Sequence, residues 1–363
     1  MTPRSGTRCG WVALCDGDCA RQADACEVAF VNTETGRCLR ASLPELRRHR
    51  VVGFTDGLLV LLNTDTTAVR VLHPFTRVAV DFPAMAPLFR SMAWRLDARA
   101  WMRAFVCVSE TSPSSIAVVV WFSAVQGVVA ADPIPRRTIV SRKIELTIAV
   151  QFQGRFYGVT CTWRNLRQIY PQCQDPLIAM VPMKPRIPYA DRFYLVESAA
   201  RLMVAVRHLY DGTSGDWGFE LFDVDIEGRR LLPVSSLGDR ALLIGDDRCI
   251  SVSSNKLPSI SGDAIYTSVV NKDPVTLYSV ASGEYERTST LSVIHDFNKR
   301  IRPSVRPFTL ADHLLTYCFH RHWSRGLMYH EYHHVPVTWK EVWNRFKAQD
   351  REVSFTRAVL QMN

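Results

Sequence analysis

Five histidines crowd between His320 and His334, and His330-Glu331-Tyr332-His333-His334 satisfies the pattern His-Glu-x-x-His. On a helix, His330 and His334 lie one turn apart and can grip one zinc ion, with Glu331 as general base for a metal-bound water. His320, His322, Glu341 and Glu352 are the candidates for a third ligand. Against this chemistry, Gly326 and Pro336 confine any helix to about two turns, and no apolar stripe supports one. The segment is expected to be a polar strand or loop. A zinc-dependent hydrolase using His330, Glu331 and His334 stands as the alternative.

No other constellation carries chemistry. The chain has no Gly-x-Ser-x-Gly elbow, no Gly-x-x-x-x-Gly-Lys phosphate loop and no Gly-x-Gly-x-x-Gly turn, so no nucleophile, nucleotide or cofactor site is expected. Asp223 with Asp225, and Asp246 with Asp247, read as solvated acids in turns. Cys15, Cys19 and Cys26 match no zinc-finger spacing. Trp94, Trp101, Trp121, Trp163 and Trp217 could line a binding face, but packing between sheets explains them as well. The expectation is therefore a protein without catalytic, cofactor-binding or metal residues.

Charge and cysteine content narrow the class. The net charge of +9 comes mostly from arginine, with basic clusters at Arg47-Arg48-His49-Arg50 and Lys299-Arg300-Ile301-Arg302. Nucleic-acid binding calls for a concentrated basic face with interleaved aromatics, and these charges are scattered along the chain, so an RNA-binding protein is a further alternative only. None of the ten cysteines forms a Cys-x-x-Cys pair, which suits small core residues in a reducing compartment. The longest apolar run, Ile116 to Ala131, is interrupted and shorter than the roughly 20 residues of a bilayer-spanning helix. No secretory leader is visible, and cytoplasm or nucleus is the expected location.

What must position these residues is β structure. The hydrophobic period is two nearly everywhere to about residue 295, in short runs such as Ala104 to Val108, Thr147 to Phe152 and Leu202 to Val206. A degenerate repeat runs through them. A strand, a polar turn and a second strand recur at Val28 to Arg37, Val69 to Arg77, Leu221 to Gly228 and Thr276 to Gly283. A glycine leading into a strand recurs at Gly10, Gly57, Gly154 and Gly262. The spacing is that of propeller blades, which cannot cover both faces alone and so stack around an axis. The expected fold is all-β: a single β-propeller of about six or seven four-stranded blades over residues 9–335. Residues 336–363 follow as an amphipathic helix and tail. Thr338-Trp339-Lys340-Glu341 forms a capping box there, and Trp339, Val342, Trp343 and Phe346 fall on one stripe.

Through several of these segments the chain resembles the KIB-type β-propeller domain carried by many plant F-box proteins. Val71-Leu72-His73-Pro74-Phe75-Thr76, Gly154-Arg155-Phe156-Tyr157 and Tyr194-Leu195-Val196-Glu197-Ser198 support the resemblance. Its most specific carrier is Ser236-Leu237-Gly238-Asp239-Arg240, followed by Ala264-Ile265-Tyr266. A Trp that often precedes that carrier is replaced around Leu231-Leu232. The resemblance implies a non-enzymatic, substrate-recognition module of a ubiquitin-ligase receptor, with a protein partner and no membrane contact. The family's F-box helices, which dock a Skp-type adaptor, have no counterpart in these residues, so that adaptor is not an expected partner.

Overall fold

The computed structural model describes residues 11–14, 27–86, 102–112, 114–122, 127–133, 138–140, 144–160, 164–171, 176–182, 192–209, 217–245, 248–267, 276–287, 290–295, 301–306 and 310–318. Within them the period-two runs become strands that pair into small sheets. β1 (Trp11–Leu14), β2 (Glu27–Asn32) and β3 (Cys38–Ser42) form the first. β4 (His49–Thr55), β5 (Leu58–Asn63), β6 (Val69–Leu72) and β7 (Ala79–Phe82) form the second. β8 (Met102–Val108), β9 (Ile116–Phe122), β10 (Val128–Ala131) and β11 (Thr138–Val140) form the third. β12 (Leu146–Phe152), β13 (Arg155–Thr160), β14 (Asn165–Tyr170) and β15 (Leu177–Met180) form the fourth. β16 (Arg192–Ser198), β17 (Arg201–Leu209), β18 (Trp217–Asp225) and β19 (Arg230–Val234) form the fifth.

The sixth sheet departs from this plan. β20 (Arg240–Ile244), β21 (Cys249–Ser253), β22 (Ala264–Thr267), β23 (Thr276–Ser279) and β24 (Tyr285–Arg287) lie in the order β21-β20-β22-β23-β24, with β20 and β22 parallel. β25 (Thr290–His295) and β26 (Ile301–Arg306) pair as a separate hairpin, and α1 (Leu310–Cys318) follows.

The alternation along each strand sends side chains to both neighbouring sheets, and five apolar clusters result. Val52 and Leu62 meet Met102 and Val106 between the second and third sheets. Trp121 meets Phe156 between the third and fourth, and Tyr157 meets Leu195 between the fourth and fifth. Val196 meets Leu242 between the fifth and sixth. The last cluster closes the circle: Leu243 and Tyr266 of the sixth sheet, Phe30 of the first, Leu59 of the second and Leu314 of α1 share one core. Each fully buried Val, Leu or Phe in these seams contributes about 1.5–3 kcal/mol by leaving water. Contact between sheets is close enough that a Cβ on Gly53 would stand 2.0 Å from the Ala104 carbonyl oxygen.

The result is an all-β propeller of six blades. The expectation of four strands in every blade is corrected at both sides of the closure: three described strands in the first blade and five in the sixth. The sequence repeat explains the first blade. The recurring strand–turn–strand unit is in every case the hairpin between a blade's two outermost strands, namely β2–β3, β6–β7, β18–β19 and β23–β24. The glycine-led strands β5, β13 and β22 are each third from their blade's outer edge, and β1 occupies the same place. Helix α1 packs against β1, β20 and β22, on the seam where the ring closes. The amphipathic helix expected at 336–363 lies outside the described residues.

Inner strands run in one direction. The Val108 N–H at the end of β8 donates to the Gly154 carbonyl just after β12, at 2.8 Å. Gln151 of β12 donates to Asp56 just after β4, at 3.0 Å. The Ser198 and Ser251 hydroxyls, late in β16 and β21, lie 2.8 Å apart. The ends of the inner strands therefore gather at one end of the ring, the upper end, and their starts gather at the lower.

Candidate interaction surface

The upper end is organised by a polar clasp. β20 starts there with Arg240, which is 9% exposed and donates from both terminal nitrogens to Glu34, at 2.8 and 2.9 Å. Glu34 stands in the β2–β3 turn, 206 residues away. The Arg240 Nε also donates to the Ser251 hydroxyl at 3.0 Å, and Ser251 meets Ser198 of the fifth blade. One guanidinium thus ties the first, fifth and sixth blades. Planar bidentate pairing of this kind suits arginine and not lysine.

The residues that carry the resemblance most specifically build this clasp. The Leu237 N–H donates to Asp263 at 2.6 Å, and the Gly238 N–H to the Ser236 hydroxyl at 3.1 Å. Asp239 accepts from Ser253 at 2.8 Å and from Asn255 at 3.0 Å. Further down the same blade the Tyr266 hydroxyl accepts the Ser261 N–H at 2.8 Å. These are closure contacts. Glu34, the partner that completes them, carries no sequence signal beyond its place in a repeated turn: Asn32 caps that turn as His73 caps the next blade's.

Other upper-end charges are paired locally. Asp223 accepts from Arg201 at 2.6 Å. Asp225 accepts the Gly228 N–H and then Arg230, which together hold its carboxyl below the ordinary range. Both acids lie within β18 and are paired, which corrects the expectation of solvated acids in turns. Where the second blade meets the first, Phe75 is half-exposed and packs against Phe30 and Trp11 with centroids 5.2 and 5.8 Å apart.

The lower end carries arginine. Inner strands start at or just beside Arg50, Arg103, Arg192 and Arg248 in the second, third, fifth and sixth blades, and after Glu145 in the fourth. The Arg103 guanidinium lies 4.6 Å from the centroid of Trp121, Arg164 5.0 Å from Phe193, and Arg248 4.8 Å from Tyr317. Trp121 is wholly buried between blades, which settles it as packing. Trp217 lies in β18, in register with Leu209.

His330, Glu331 and His334 lie outside the described residues. So do Trp94, Trp101, Trp163, Asp246, Asp247, Cys15, Cys19 and Cys26. Among the described residues no group of three or more His, Cys, Asp or Glu could hold a metal ion. No described helix is long and apolar enough to cross a membrane.

A closed ring of six blades tied by an arginine clasp defines a β-propeller domain. Comparison with known proteins makes the assignment specific: the KIB1-4 beta-propeller family model matches residues 30–292, and the chain belongs to that family. No curated protein matches it significantly. Among solved structures it is similar to TolB from Acinetobacter baumannii, at 11% identity, covering 82% of this chain and 67% of that one, with a TM-score of 0.38. A structural-genomics protein from Bacteroides thetaiotaomicron is 9% identical, with 73% and 67% covered and a TM-score of 0.32. The Cps50 (Swd1) β-propeller domain of Myceliophteria thermophila is 11% identical, with 78% and 86% covered and a TM-score of 0.31.

Proposed function

We propose that this propeller is a non-enzymatic recognition domain of the F-box-receptor kind, which captures a protein substrate for ubiquitin ligation in the plant cytoplasm or nucleus. The family match carries this reading, because it runs from the first blade through β24 and so spans the closed ring. A ring of this build suits substrate capture. Its stacked blades hold turns and connecting segments rigidly, and such segments tolerate sequence change without loss of the core. Propellers serve many functions, so the role follows from family and surface together. The partner is a protein. A Skp-type adaptor is not expected among the contacts of these residues, and neither a membrane nor a nucleic acid is proposed.

Affinity capture with the full chain from a plant extract tests the reading. A specific protein should be enriched over a control with the clasp broken by Arg240→Ala, and its steady-state level should change when the propeller is overexpressed. Failure to enrich any protein whose abundance responds to the propeller overturns the proposal. So does stoichiometric capture of the Skp-type adaptor alone.

A further inference from the structure

We infer that Asp132, at the upper end of the seam between the third and fourth blades, anchors a cationic side chain of a docked partner protein, a lysine or an arginine. The inference rests on the recognition reading above and adds an anchoring residue and the chemistry it selects. Asp132 is 1% exposed, and among the described acids it alone has both carboxylate oxygens buried without a hydrogen-bond partner. A buried carboxylate forfeits its hydration, and buried charges in folded proteins are therefore paired. Glu34, Asp81, Asp223 and Asp225 follow that rule, each holding an arginine. Asp239 and Asp263 follow it too, accepting from a hydroxyl and a backbone N–H respectively. Asp132 offers two strong acceptors that the fold does not use.

Strand register fixes where the group points. β10 ends at Ala131, opposite Val118, so Asp132 follows opposite Ala117, which in turn pairs with Cys107. Residues opposite one another share a face of the sheet. Ala117 and Cys107 face the fourth blade, in one core with Phe156 and Tyr170. Asp132 is thus directed into the seam that Tyr170 enters from the end of β14. Burial pushes the Tyr170 hydroxyl up to about 12, and charge on Asp132 and Glu110 adds to that shift. The phenol keeps its proton, and its oxygen accepts the Glu110 N–H at 3.1 Å.

The connection at this place differs from its counterparts. First-to-second-strand turns in the second, fourth and fifth blades are two residues long, whereas the third blade's connection runs from Ser109 to Ser115. The Ser109 and Thr111 hydroxyls lie 2.8 Å apart, and those of Ser112 and Ser114 2.9 Å apart. Lifting this connection breaks the bond from Glu110 and frees the Tyr170 oxygen as a further acceptor beside the carboxylate. Long connections on a rigid scaffold are where binding groups gather. The donor set selects a side-chain cation over a metal ion. Among the described residues no group of three or more His, Cys, Asp or Glu could hold a metal, and a calcium ion needs a cage of oxygens. An ammonium is satisfied by few acceptors, and a guanidinium fork matches the two oxygens of one carboxylate.

The test uses the full chain and two probes that copy these side chains, n-butylammonium and n-propylguanidinium, each against sodium chloride at equal ionic strength. A ligand that binds only the folded protein raises the melting temperature. At about 100 mM, at least one probe should raise it by about 2 °C or more relative to the same probe's effect on Asp132→Asn. Glu227→Gln, which removes an exposed charge from the β18–β19 turn, should keep the full rise. The probe with the larger rise assigns lysine or arginine. Without any probe, Asp132→Asn should melt above the parent protein, because it removes an uncompensated charge. A lower melting temperature would give the carboxylate a structural bond and overturn the inference. So would equal responses of the parent and Asp132→Asn to both probes, loss of the rise in Glu227→Gln, or a larger rise with calcium chloride than with either probe. The partner captured in the recognition test should bind Asp132→Asn about tenfold more weakly or worse. If it binds undiminished, this anchor fails while the recognition reading survives.

Discussion

At the upper end of the ring, charges come in bonded pairs: Arg240 with Glu34, Arg201 with Asp223, Arg230 with Asp225. At the lower end, the inner strands begin one after another at or beside arginine, and Arg103 and Arg248 rest on aromatic rings. Both ends are rims of strand ends and connections on the same blades, so backbone shape alone does not distinguish them. The side chains gathered there do. At the upper end opposite charges within bonding reach tie blade to blade, whereas at the lower end guanidinium groups lie on aromatic rings buried in the seams.

The contrast between the ends breaks first at the aromatic supports. Trp121→Ala removes a wholly buried indole and the surface under Arg103, and should cost about 3–5 kcal/mol in chemical denaturation. A loss below about 1 kcal/mol would mean that the seam collapses onto the space and that Arg103 needs no support. The clasp comes next. Arg240→Ala should cost about 2 kcal/mol, less than a fully buried pair because Glu34 is half-exposed. Arg192→Ala at the lower end should stay within about 0.5 kcal/mol, since an exposed arginine contributes little to folding. Thermal melts that reverse the order of these two would invert the roles given to the ends.

Much of the ring could be read from the sequence because the physics is local. Strand alternation, glycine-led strands and the polar turns of the outermost hairpins all lie within a few residues of one another, and each recurs. The closure could not be read that way. Arg240 finds Glu34 across 206 residues, and nothing at either position marks the other. β20 inserts between β21 and β22 in parallel with β22, which a pattern of alternating residues cannot reveal, because pairing partners leave the period unchanged. Helix α1 is too short for its stripe to stand out, and its burial comes from the gap beside β1. The lower-end arginines were hidden for a related reason. Its members look scattered along the chain, and only the common direction of the inner strands brings them to one end.

Proton linkage gives a smaller effect at the lower end of the sixth blade. Cys318, the last residue of α1, is fully buried against Gly245 and the Leu243 carbonyl, and burial pushes its thiol up to about 12. Arg248 opposes that shift without cancelling it. In the unfolded chain the thiol ionises near its ordinary value, about 8.5, so the folded state holds the proton over a range where the unfolded state loses it. This contribution is complete below about pH 8.5 and is lost as pH rises toward the folded value, amounting to about 1–2 kcal/mol by pH 10. Cys318→Ala should flatten that part of the stability profile. An unchanged slope would show that α1 opens before the thiol titrates and does not seal the seam.

The smallest expected change sharpens the upper end. First-to-second-strand turns there need left-handed backbone at two successive residues: Asp56-Gly57, Gln153-Gly154 and Ala199-Ala200 all have positive φ. Such turns match the twist of the strands they join, and glycine meets the second position without steric cost. Ala200 at φ 59 bears that cost, since a Cβ in this region crowds the following carbonyl. Ala200→Gly should therefore stabilise the propeller by about 0.5 kcal/mol, the relief of strain being partly offset by the freer unfolded chain. Gly154→Ala should do the opposite and by more, because its Cβ would meet the Val108 side chain at 2.5 Å as well as adopting φ 74. If both substitutions destabilise equally, the two turns are not equivalent. The fifth blade would then owe its geometry to the neighbouring Ser198–Ser251 contact of the clasp instead of to the turn.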